Sequence, residues 1–189
     1  MKYLILFLLF EMNIGCSSAG DKKPSLKSQY MNSQERLNYD STILATMKEV
    51  VDLTSSSSVF GVKGFIAIYE NPLLYQNDAI IFLSKEKNTE EEKTIAVFTM
   101  QKSDLEDYMI FFKKAVGLFN EGKITERVLS EVISSSVNKR YIIIKNYRDK
   151  SISEVLNELK GNEKVSPELK GRIENILSGK SWRGVKKLL

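Results

Sequence analysis

The chain has 189 residues, of which 42% are hydrophobic and 10% aromatic, enough for one real core at this length. It carries a formal net charge of +4, one cysteine and no histidine. Without histidine there is no Ser-His-Asp arrangement, no usual neutral-pH general base and no commonest zinc ligand. A single cysteine excludes an internal disulfide and argues against haem, blue-copper and thiolate metal sites, so no cofactor is expected.

The chain opens on a positive residue, Lys2, and an unbroken apolar run, Tyr3 to Phe10 (YLILFLLF), closed by Glu11 and followed by Gly15-Cys16. A charged start, a short apolar core and a small residue before a cut site are the parts of a secretory signal. The run is too short to cross a bilayer, which takes about 20 apolar residues.

Asn13-Ile14-Gly15-Cys16 resembles the lipobox of bacterial lipoprotein precursors, with Asn13 where Leu is usual, a looser box similar to those of spirochaetal lipoproteins. The resemblance covers 16 of the 189 residues. It implies a diacylglyceryl group on the Cys16 thiol, cleavage before Cys16 and acylation of the new amine. Residues 1–15 would then be the signal peptide, Cys16 the lipidation site, and the address the bacterial cell envelope, at the outer membrane. Two or three chains on one residue give a durable attachment, where a single acyl chain holds only marginally.

Ser17 to Arg36 is polar, without apolar period, and reads as a flexible tether, so that 16–36 form the lipidated N-terminus and its linker. From Tyr39 the pattern is helical. Ile43, Leu44, Met47, Val50 and Val51 share a face, with Asp40 or Ser41 as N-cap, and four serines at 55–58 break it.

The middle of the chain reads as sheet. Val59 to Tyr69 is β-branched and aromatic, with Gly61 and Gly64 suggesting a bulge, and Asn71-Pro72 marks a turn. Ala79 to Ser84 and Lys93 to Met100 are short apolar runs on either side of Lys85 to Glu92, a charged loop of hairpin length. Tyr141 to Ile144 supplies a further strand.

Four helices have clear starts. Ser103-Asp104-Leu105-Glu106 has the capping-box form before the stripe Leu105, Met109, Phe112, Val116 and Phe119, with Gly122 as the stop. Thr125 caps a helix facing Val128, Leu129, Val132 and Ile133 inward. Ser151 to Glu154 repeats the box before Val155, Leu156 and Leu159, and Ser166-Pro167 opens a last helix with Ile173, Ile176 and Leu177 on its apolar face. The fold class expected is α+β, a single domain over 37–179 in which a mainly antiparallel sheet of three to four strands is packed by helices.

The tail, 180–189 (KSWRGVKKLL), is basic and amphipathic. Seven basic and two acidic residues lie from Lys164 onward. Trp182, Arg183, Lys186 and Lys187 are candidates for contact with a partner or an anionic lipid surface. Lysines number 22 and arginines six, and arginine supplies the fork that reads phosphate and guanine, so no nucleic-acid partner is expected.

Catalytic patterns are thin. Gly179-Lys180-Ser181 lacks the upstream glycine of a P-loop, with Glu174 in its place. Ser84 with Lys87, and Ser136 with Lys139, fit S-x-x-K without companion motifs. Asp104, Glu106 and Asp107 suit a first helical turn better than a glycosidase pair, and Glu90-Glu91-Glu92 lacks the alternation of a calcium loop. The function expected is a membrane-anchored, non-enzymatic binding module of the envelope, with a protein partner there or outside the cell. The alternative is an envelope hydrolase using carboxylates or a Ser/Lys pair.

Overall fold

The computed structural model describes residues 36–52, 59–138 and 150–178, and among them there is no strand. The chain from Leu37 onward is one compact unit. Its helices are α1 (Tyr39–Asp52), α2 (Lys63–Tyr69), α3 (Pro72–Ser84), α4 (Glu90–Thr99), α5 (Leu105–Asn120), α6 (Glu126–Asn138), α7 (Lys150–Gly161) and α8 (Pro167–Leu177), with a 3-10 turn at Val59–Gly61. The expected α+β fold is therefore corrected to an all-helical bundle. Tyr141 to Ile144 lies outside the described residues, as do residues 1–35 and the 180–189 tail.

Three of the expected strands are helical, and for two of them the helical period is hidden by apolar residues on more than one face. Lys93, Ile95, Ala96, Val97 and Thr99 of α4 are all buried, so the helix has no wet stripe to reveal its 3.6-residue period. Ala79 to Ser84 is the second half of α3, where Ile81 on the outer face is as apolar as Ala79, Phe82 and Leu83 on the inner one. Val59 to Tyr69 divides into the 3-10 turn and α2, which buries Phe65 and Ile68.

The charged hairpin loop is also corrected. Asn88 turns back to donate Nδ2–H to Phe82 O at 2.9 Å, closing the end of α3. Thr89 then opens α4 with a full capping box. Its Oγ1 accepts from Glu92 N–H at 3.2 Å, and Glu92 Oε2 accepts from Thr89 N–H at 2.8 Å. Asn71-Pro72 is not a turn between strands but the start of α3, with Pro at the first helical position.

Other boundaries move by a residue or more. Asn38 Oδ1, not Asp40 or Ser41, accepts from Ser41 N–H at the start of α1. Asp104 rather than Ser103 caps α5, accepting from Asp107 N–H at 3.0 Å. Helix α7 begins at Lys150, one residue before the expected cap at Ser151. Ser166 caps α8 ahead of Pro167, as its sequence indicates.

Gly122 ends α5 at φ 78°, a left-handed conformation that favours glycine. Lys123 N–H returns to Leu118 O at 2.8 Å and Gly122 N–H to Phe119 O at 2.9 Å, a Schellman closure.

Helix α4 is the middle of the bundle, packed by α1, α2, α3 and α6. Helix α5 lies against α3 and α6 and buries Tyr108, Phe111, Phe112, Ala115 and Phe119. The Tyr39 ring wedges between Tyr75 and Phe82, at centroid distances of 6.1 and 5.9 Å, so the start of α1 crosses α3 near its middle. Helices α7 and α8 pair with each other. They are tied to the start of α6 by Glu126, whose carboxylate accepts from Ser166 N–H at 2.7 Å and Ser166 Oγ–H at 2.5 Å. Asn120 adds its side chain to Asn162 and its carbonyl to Lys164 Nζ.

Two outcomes are expected. A Cβ at Gly64 would sit 2.9 Å from Thr42 Cγ2, where α2 crosses α1. Gly64→Ala should cost about 1–3 kcal/mol in thermal or urea unfolding, and Thr42→Ser, which removes that methyl and keeps the hydroxyl bond to Asn38 O, should restore most of it. Glu126→Ala should cost about 1–3 kcal/mol by unpairing the α8 cap, with hydrogen exchange accelerated in α8 and unchanged in α4.

Candidate interaction surface

The residues singled out for chemistry are used for local structure. Asp104 is a cap, Glu106 is exposed, and Asp107 sits in the first turn of α5. Glu92 completes the α4 capping box, while Glu90 and Glu91 hold Arg127 at 3.5 and 3.1 Å. Ser84 Oγ–H donates to Ile81 O, and Lys87 is exposed on the following turn. The other S-x-x-K match ends at Lys139, outside the described residues, as do Cys16, Gly179-Lys180-Ser181, Trp182, Arg183, Lys186 and Lys187. Among the described residues no group of three or more Asp, Glu, His or Cys is placed to hold a metal ion.

A cleft of about 370 Å³ separates α6 from α8, lined by Glu126, Arg127, Ser130, Glu131, Glu168 and Arg172 among others. Most of its charges are already engaged: Glu126 by Ser166, Arg127 by Glu90 and Glu91, and Arg172 by Glu168 at 2.5 Å. It is an open groove of local ion pairs.

The buried polar groups tie helices together. Tyr108 O–H donates to Val132 O at 2.6 Å, next to Ser135, which accepts from Gln101 Nε2–H. Tyr39 and Thr99 pair their hydroxyls at 2.9 Å between α1 and α4. Burial raises both tyrosine pKa values far above the usual one. Lys93, in the buried α4, donates Nζ–H to Lys123 O at 2.7 Å and so pins the α5–α6 turn. Burial lowers its pKa, with Glu86 and Glu90 opposing.

The distinctive surface is the outer side of α3. Pro72, Tyr75, Ala79, Phe82 and Leu83 fill its inner face, yet Leu73 and Ile81, two turns apart on the crest, remain 54% and 45% exposed. Leu37, 37% exposed, lies off this crest, its N–H donating at 3.2 Å to the hydroxyl of Tyr75, a residue of the inner face. Ile110 of α5, 49% exposed, lies at one flank, one turn on from Asp107, whose carbonyl accepts from Gln76 Nε2–H at 2.6 Å. Covering what remains exposed of these side chains is worth about 1–2 kcal/mol each. Exposed apolar groups gathered in this way mark a contact surface. Reading the second half of α3 as a strand hides the ridge. The same residues on a helix leave Leu73 and Ile81 outside the core face, on either side of the exposed Asn77.

Among the described residues no helix is long and apolar enough to cross a membrane. Comparison with family models, with curated proteins and with solved structures finds no match to this chain.

The buried amine has a pH signature. The Lys93 pKa is lower in the folded chain than its ordinary 10.5, so between those values the unfolded state binds more protons and this residue's contribution to stability rises with pH. The stability of the natural chain relative to Lys93→Met should therefore increase as pH climbs toward 10.5, measured by urea unfolding of both proteins across that range. The tyrosines act oppositely, losing stability above 10, but are common to both chains and cancel in the difference.

Proposed function

We propose that this chain is a lipid-anchored envelope protein whose helical module works by contact rather than by chemistry. The observation that carries this reading is the apolar run closing on Asn13-Ile14-Gly15-Cys16, with a polar linker between it and the first helix. The lipid on Cys16 fixes the module to the outer membrane of a bacterial cell and holds it in reach of a protein partner in the envelope or beyond it. Two features of the module support the reading. Several of its described carboxylates and hydroxyls serve as caps and interhelical ties, and it keeps Leu73 and Ile81 exposed on α3.

Cells expressing the full precursor should incorporate labelled palmitate into it, and Cys16→Ala should abolish the label and release the protein from the membrane fraction. An unlabelled natural chain with residues 1–15 still attached would overturn the reading. Recovery of the same envelope protein with the lipidated chain, and not with a lipidated control, identifies the partner.

A further inference from the structure

We propose that the cleft between α6 and α8 takes a single basic side chain, an arginine or lysine of a protein partner, onto the carboxylate of Glu131. The inference rests on the contact reading above and deepens it by naming where the partner is gripped and by what chemistry.

The cleft is fixed at one end. Glu126, at the start of α6, accepts two bonds from Ser166, which caps α8, so the two helices are joined where they begin. Beyond that joint α6 presents Arg127, Ser130 and Glu131 to a space of about 370 Å³, and α8 faces them with Glu168, Leu169 and Arg172. Apart from the buried Leu169, these residues are polar.

The charges of the cleft do not balance. Three carboxylates, Glu126, Glu131 and Glu168, stand against two guanidinium groups. Arg172 is bonded to Glu168, and Arg127, one turn before Glu131 on α6, turns away to Glu90 and Glu91 of α4. Among the described residues Glu131 makes no hydrogen bond or ion pair, although it is half-buried. The hydroxyl of Ser130 beside it is likewise without a bond among the described residues. The pair thus offers adjoining acceptors to a group rich in N–H donors, and lysine and arginine carry such groups. A carboxylate half out of water has lost part of its hydration on folding, so an incoming cation gains more from it than from a fully exposed one.

The rest of the lining says what kind of cation fits. The cleft is open and mostly polar, so it gives a free amine little apolar surface to bury. A side chain carried in by a wider contact needs only the charge and register found here. The guanidinium groups of Arg127 and Arg172 on either side repel a run of positive charge, which favours one basic residue over a polybasic segment. Among the described residues no carboxylate cluster is arranged to hold a metal ion.

The test uses the chain from residue 16 onward with Cys16→Ser, which stays unlipidated. Failure of this site is therefore distinct from failure of the anchor, read by palmitate labelling, and of the contact reading, decided by recovery of a partner. The probe is acetyl-Gly-Arg-Gly-amide, with the citrulline peptide as its uncharged twin. Each is added at low salt to the isotope-labelled chain, up to concentrations on the order of tens of millimolar, where a single half-exposed ion pair is read. The arginine peptide should move the amide resonances of Ser130 and Glu131, and the Glu131 carboxyl carbon, at least about threefold further than the citrulline peptide. Glu131→Gln, isosteric and with its unfolding midpoint checked, should cut the amide shifts at 130 and 131 at least about threefold. Glu106→Gln, which removes the same charge from an exposed position on α5, should leave them unchanged. An equal response to the two peptides, or one that survives Glu131→Gln, overturns the proposal. So does a response at Glu90 to Glu92 as large as that at Glu131, the mark of unspecific pairing with surface acids. A Glu131 carboxyl that shifts without peptide when residues 180–189 are deleted overturns it too, since the chain's own basic tail is then the occupant.

Discussion

A short helix enclosed by four others is the constraint on which this bundle is built. Helix α4 is packed by α1, α2, α3 and α6, so the polar groups it carries must find partners inside the protein. Its N-terminus is closed by its own Thr89 and Glu92, and Thr99 shares hydroxyl bonds with Ala96 O and Tyr39. Lys93 reaches out of α4 to the carbonyl of Lys123, which lies in the glycine-closed turn after α5. The polar groups of α4 therefore set where α1 begins and where α5 ends. Thr94 Oγ1 is a buried exception with no bond partner.

Around that centre the other helices divide into two kinds. Helices α5, α6, α7 and α8 each bury one face and wet the other, and the carboxylate of Glu126 links the α7–α8 pair to the start of α6. Helix α3 is different, with Leu73 and Ile81 exposed around Asn77 on its outside as well as apolar residues inside. Its inner face belongs to the core and its crest to whatever lies outside the molecule. Leu37, where the helical unit begins, is itself partly exposed and bonds the hydroxyl of Tyr75 on the inner side of that helix.

The amphipathic helices were legible and the enclosed ones were not. Met109, Phe112, Val116 and Phe119 on α5, and Val128, Leu129, Val132 and Ile133 on α6, repeat at helical spacing because water touches one side of each helix, and all are buried. Residues 93–100 and 79–84 carry no such repeat, since burial all round, or an apolar crest opposite an apolar core face, erases the alternation from which period is read. The β-branched content of 59–69 was overridden by packing of Phe65 and Ile68 beneath α1. One local signal did point the right way: Thr89-Glu90-Glu91-Glu92 has the same box spacing as Ser103 to Glu106, and it marks the start of α4. The α3 ridge was not legible, because exposure is a property of neighbours that a strand reading does not supply.

The enclosed lysine has a practical consequence. Lys93 keeps its amine against a backbone carbonyl and away from solvent, whereas most of the described lysines stand in water. Reagents that acylate amines therefore reach it more slowly than the exposed lysines, and faster when α4 parts from the α5–α6 turn. The slow fraction of such a reaction is a clock for the opening of the bundle's centre, one that runs without unfolding the chain or attaching a probe.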